Sequence, residues 1–147
     1  MNTTNPLTSV GGDVHLETLD SYDCWRLVTE AAGPDGIARV VWSGADGPAI
    51  VPMNFTVADG VLWFQTTPGS RLARECRDQQ VLVEVDHLDA ASHTGWSVVV
   101  TGPVTVLPPA HDPGILGSLQ VWPRGPRQLL IKVEPQELTG RRLGRHG

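Results

Sequence analysis

Short runs of apolar, Val-rich positions bounded by turn residues fill the middle of the chain, and they predict strands rather than helices. Ile37 to Ser43 is rich in Val and ends at the turn Gly44-Ala45-Asp46-Gly47. Ala49 to Val57 is a second run, and Val61 to Thr66 a third. Asp59-Gly60 between them reads as a hairpin turn. Val81 to Val85 is a fourth strand, followed by a loop from Asp86 to Thr94. Trp96 to Leu107 is a long fifth strand, with Gly102-Pro103 as a bulge or bend. Leu129 to Val133 is the sixth. Helical spacing occurs first at Cys24, Trp25, Leu27, Val28 and Ala31, where Asp20 or Ser21 can cap and Gly33-Pro34 stops the segment. A short helix capped by Ser70 runs through Leu72, Ala73 and Cys76, and Leu116 to Val121 is a weak one. Six strands with few helices favour a mainly β, closed antiparallel barrel over a βαβ sheet.

The 147 residues suit one domain, residues 16–147, behind a flexible N-terminal segment, 1–15, rich in Asn, Thr and Gly. Hydrophobic residues at 40% can fill a core, while charged residues at 18% fall below the usual ~25%. Some surface is therefore left for a partner subunit or a ligand. A net charge of −5 argues against nucleic acid as a partner. The basic cluster Arg141, Arg142, Arg145 and His146 reads as solvated or paired with local acids. No signal-like or membrane-spanning stretch is found, so a cytoplasmic location is the default expectation.

Thr66-Thr67-Pro68-Gly69-Ser70-Arg71-Leu72 puts hydroxyls and a Gly at a strand-to-helix junction, with a cation just past the cap. Free backbone N–H groups there favour an anion, and Arg71 can pair bidentately with phosphate oxygens. A capped helix with an exposed Arg accounts for the same residues, and both readings stand. In Val51-Pro52-Met53-Asn54-Phe55, Pro52 removes a ladder donor, so strand pairing is expected to lapse and free the backbone for a planar heterocycle. An edge strand with a Pro is the plainer account. Of five tryptophans, Trp63 reads as core, whereas Trp96 and Trp122 flank Gly or Pro and suit a ligand or interface. His87, His93, Asp86 and Asp89 match no standard metal spacing. Cys76 lies beside Arg74 and Arg77, which would lower its pKa, but it reads as a bystander thiol.

Taken in order, Cys24-Trp25, Pro52-Met53-Asn54-Phe55, Gln65-Thr66 through Leu72, Glu84-Val85-Asp86, Thr94 to Val98, Trp122 through Arg127 and Leu138 to Arg142 form a familiar series. The series resembles actinobacterial members of the pyridoxamine 5′-phosphate oxidase-like flavin or deazaflavin superfamily. The resemblance implies a six-stranded antiparallel Greek-key split β-barrel that works as a homodimer, with FMN in a groove between subunits. It implies that Pro52, Met53, Asn54 and Phe55 line the flavin ring. Thr66, Ser70 and Arg71 would hold the phosphate, with Gln65 and Leu72 nearby. Trp96, Ser97, Trp122 and Arg127 would close the site. The lysine usual in these relatives is Arg71 here, and Asn54 stands where some carry a His. The implied activity is that of a flavin-dependent oxidoreductase acting on a small organic molecule. A deazaflavin-dependent reductase and a non-catalytic flavin- or haem-binding protein are the alternatives.

Overall fold

The computed structural model describes residues 14–108 and 129–145. Among these residues the elements are β1 (Val14–Leu19), α1 (Ser21–Ala31), β2 (Gly33–Gly44), β3 (Gly47–Ala58), β4 (Val61–Thr66), α2 (Arg71–Glu75), β5 (Gln80–Asp89), β6 (Thr94–Leu107), β7 (Leu129–Val133) and β8 (Glu137–Arg145). Neighbouring strands run β6-β5-β2-β3-β4-β7, and β7 pairs back onto β6. That return closes an antiparallel barrel from the six strands that the sequence predicts.

The two described strands that the sequence does not predict are the two outside the ring. β8 joins β6 over Gly95–Thr101, whereas β7 joins the same strand over Val104–Leu107. β1 then pairs along β8 from Leu19 to Val14. β6 therefore changes partner at Gly102-Pro103, and the predicted bend is the point where the barrel splits. A Cβ on Gly102 would collide with the Glu134 carbonyl, so only Gly lets the β7–β8 connection cross here. Arg141 and Arg142 lie in β8, between β1 and β6; Arg141 is exposed and Arg142 is 3.6 Å from the acid Glu17, in line with a cluster that is solvated or paired locally. Val14 and His15, expected within the N-terminal segment, belong to β1, and residues 1–13 lie outside the described residues.

Local chemistry sets the remaining boundaries. Asp20 caps α1 by accepting a hydrogen bond from the Asp23 N–H at 2.8 Å. Asp59 (φ 54°) and Gly60 (φ 74°) are both left-handed, as a tight two-residue hairpin requires. The predicted loop after Val85 is shorter than expected, since β5 continues to Asp89, whose Oδ1 accepts from the Ala91 and Ser92 N–H groups. The inward faces carry Val81, Val83 and Val85 of β5 and Val98, Val100 and Val104 of β6 against Phe55, Leu62, Phe64 and Ile131. Phe55 and Phe64 meet at 6.3 Å between ring centres. Each such buried side chain contributes about 1.5–3 kcal/mol. Trp63 packs with Leu130 in a smaller cluster and donates its indole N–H to the Ala58 carbonyl at 3.2 Å. The weak helix expected at Leu116 to Val121 lies outside the described residues. No helix among those described is long and apolar enough to cross a membrane.

Candidate functional site

β3 and β4 pair only over Thr56–Ala58 and Val61–Trp63, next to their hairpin turn. Beyond it β4 leaves to pair with β7 over Leu62–Thr66, and β3 keeps β2 on one edge alone. The gap left by this divergence is a cleft of about 250 Å³. Ala49, Ile50, Val51 and Met53 form one wall, Thr66, Ser70, Arg71 and Leu72 the other, and Trp42 of β2 contributes as well. Pairing does not lapse at Pro52 as expected, because the β2–β3 register runs through Arg39↔Pro52 without a shift. An uninterrupted register puts the missing donor on the other edge, where β4 has yet to join.

The polar end of the cleft is a fixed cluster. Ser70 caps α2, its Oγ accepting from the Ala73 N–H at 3.1 Å, and Arg74 Nε donates to the Gly69 carbonyl at 3.2 Å. Arg71 Nε donates to Glu75 Oε2 at 2.7 Å, and its Cζ lies 5.9 Å from the centre of the Trp42 ring. Glu75 Oε1 accepts from Trp42 Nε1 at 3.1 Å and from the Ala45 N–H at 3.3 Å. Arg71, then Trp42, hold the Glu75 carboxyl below its ordinary value, and Glu75 in turn raises the Arg71 guanidinium. The arginine is therefore anchored rather than a free cation at the mouth. The Arg71–Glu75 spacing of four was visible as a helical pair. Trp42 carried no such signal, being 33 positions from Glu75.

Of the remaining expected site residues, Phe55 is fully buried in the core and Leu72 is 3% exposed. Pro52 is exposed on β3, and Gln65 is half-buried on β4 opposite Leu130. Asn54 is committed to β2. Its Nδ2 donates to the Pro34 carbonyl at 3.3 Å and the Gly36 carbonyl at 3.2 Å, across a bulge where the register jumps from Gly33 to Ile37. Trp96 lines a different hollow, of about 400 Å³, with Arg39, Asp86 and His87, and Ser97 lies opposite Asp86 on β6. The two hollows share no residue. Trp122 and Arg127 lie outside the described residues.

Burial, then Glu75, pushes the Cys76 thiol up to about 11, against the lowering expected from neighbouring arginines. No group of three or more His, Cys, Asp or Glu able to hold a metal occurs among the described residues.

Comparison with known proteins agrees with this architecture. A family model described as pyridoxamine 5′-phosphate oxidase matches residues 20–142. An uncharacterized protein from Mycobacterium tuberculosis is 36% identical over 131 residues, covering 85% of this chain and 84% of its own. The FAD binding protein from Mycobacterium smegmatis superposes with a TM-score of 0.66 at 26% identity, over 87% of this chain and 98% of that one. An FAD-binding protein from Mesorhizobium loti has the same fold, with a TM-score of 0.68 at 19% identity, over 90% and 99% of the two chains. By the match along nearly its whole length, and by the split barrel that carries its cleft, this chain belongs to the pyridoxamine 5′-phosphate oxidase-like family.

Proposed function

We propose that the chain binds a flavin nucleotide, FMN, in the cleft along the open edge of β3, and that it acts as a flavin-dependent oxidoreductase on a small organic molecule. The observation that carries the reading is an anchored arginine at the hydroxyl-bearing end of an otherwise apolar cleft. A flavin phosphate needs a cation and hydroxyl donors, and its ring needs apolar walls and a strand edge. The residues present fit both ends. Arg71 pairs with phosphate oxygens, and Thr66 and Ser70 flank it. Val51, Met53 and Trp42 keep water from the ring end. Once bound, the flavin supplies the electron-carrying chemistry, and the protein supplies position and local field.

The cleft volume of about 250 Å³ falls below the ~300–1,000 Å³ of typical small-molecule sites. One copy therefore covers only part of the ligand, which supports a homodimer with the site at the subunit interface. Val41 lies between Ile50 and Leu82 in register on the outer face of β3, β2 and β5, and both flanking residues are well exposed, at 63% and 41%. That apolar row suits a partner subunit. Trp96 and Ser97, away from the cleft of their own copy, are assigned to the cleft of the second.

The names of the mycobacterial and Mesorhizobium relatives favour FAD as a second reading. The purified protein separates them: its absorbance near 450 nm reports flavin, and chromatography of the released cofactor tells FMN from FAD. FMN at 100 times its Kd is expected to stabilise the wild type by about 2.7 kcal/mol, and Arg71→Ala by much less. Equal stabilisation of both proteins overturns the phosphate assignment. If neither NADH nor NADPH reduces the bound flavin faster than free flavin, the oxidoreductase assignment falls and a carrier remains.

A further inference from the structure

A carboxylate beside a phosphate site is electrostatically out of place. Glu75 repels any anion that Arg71 attracts, yet its side chain is only 17% exposed and every contact it makes is specific. Its Oε2 takes the Arg71 Nε proton at 2.7 Å, while Trp42 Nε1 and the Ala45 N–H hold its Oε1 at 3.1 and 3.3 Å. Three separate pieces of chain thus converge on one carboxylate: β2, the turn between β2 and β3, and α2. Gly44 completes the arrangement. A Cβ there would sit 2.7 Å from Arg71 Nη2 and collide with Glu75 Oε1, so the absence of a side chain is what lets the pair lie against the hairpin.

We infer that Glu75 is a positioning residue for the cofactor site, locking Arg71 by its Nε so that the terminal nitrogens of the guanidinium are presented to the phosphate in one orientation. An unrestrained arginine samples many rotamers, and ordering it at the moment of binding costs affinity. Glu75 makes that ordering part of folding. Its own charge is partly offset by the two N–H donors on Oε1. The inference rests on the reading of the cleft as a flavin-phosphate site, and it goes beyond that reading by assigning a role to a residue that touches no ligand.

The test compares FMN with riboflavin, which has the same ring but no phosphate, by fluorescence titration of the intact protein. Coulomb's law alone predicts that Glu75→Gln tightens FMN, because a negative charge is lost. Positioning predicts the opposite. A glutamine can still accept from Trp42, but its amide cannot also accept the Arg71 Nε proton, and FMN is expected to weaken about tenfold with riboflavin unchanged. Gly44→Ala, which wedges the pair apart and meets only the ends of flexible side chains and one carbonyl, is expected to weaken FMN about threefold with the same selectivity. If Glu75→Gln binds FMN as tightly as wild type or tighter, or loses FMN and riboflavin equally, the inference is overturned. The Gly44 variant decides in the same way should the Glu75 variant not fold. A wild type that does not prefer FMN to riboflavin overturns the phosphate reading itself, and the inference with it.

Discussion

Arg71 on α2 and Arg39 on β2 both reach to carboxylates, and the carboxylates they meet respond in opposite directions. Glu75 receives three donors, from Arg71, Trp42 and Ala45, and is held below its ordinary value. Glu84 instead shares one guanidinium nitrogen with Asp86, Arg39 Nη1 lying 3.1 Å from one and 3.0 Å from the other. Glu84 is pushed up to about 7, by burial first and then by its contact with Asp86, while Arg39 pulls it down and is outweighed. A carboxylate with three donors is held charged, whereas one that is half-buried and divides a single cation with a second carboxylate is raised toward neutrality, by burial first. Distance alone would have labelled both as ion pairs.

The largest expected effect is at the locked end. Trp42→Ala removes a buried indole as well as a donor to Glu75, and a loss of about 3–5 kcal/mol is expected in denaturant unfolding. Trp42→Phe keeps most of the bulk and is expected to lose about 1 kcal/mol. A phenylalanine variant as stable as wild type would mean that the bond to Glu75 contributes nothing.

At the Glu84 end the sign reverses. Unfolded, Glu84 titrates near 4.5, and folded near about 7. Between these values the folded state binds more protons, so stability falls as pH rises through this window and stays lower above it. Glu84→Gln is therefore expected to be on the order of 1 kcal/mol more stable than wild type near pH 8, with the advantage gone near pH 5. Denaturant curves at the two pH values measure it, and a pH-independent difference would contradict the raised Glu84 carboxyl. The smallest effect is that of Asp86→Asn. Removing the second carboxylate is expected to change stability by only a few tenths of a kcal/mol. It should nevertheless move the Glu84 midpoint below 7, as read by carboxyl NMR titration.

The six barrel strands were legible in two ways: burial of one face writes a period of two into Val81-Leu82-Val83-Glu84-Val85 or Val98 to Val106, and burial of both faces makes Leu62-Trp63-Phe64 and Leu129-Leu130-Ile131 short apolar runs bounded by turn residues. The caps Asp20 and Ser70 were legible for the same local reason. β1 and β8 were not. Half-exposed runs such as His15-Leu16-Glu17-Thr18 and Thr139-Gly140-Arg141-Arg142 carry little alternation; the second is a strand because β6 offers an unpaired edge there, and the first because β8 in turn offers its own. The candidate site divides similarly. Thr66, Ser70, Arg71, Leu72 and Met53 meet in one cleft as expected, while Asn54 and Phe55 proved to be tied to the β2 bulge and the core.

By itself, then, the amino-acid order determined where chain segments extend, turn and cap, since those choices depend on neighbours a few residues away and on which side chains avoid water. Only the folded molecule decided that β3 and β4 part company after three residue pairs, that the barrel closes through β7 while β8 splits from it, and that Trp42 and Glu75 hold Arg71. Each of these depends on segments tens of residues apart competing for the same strand edge or the same donor, and no local pattern records the outcome of that competition.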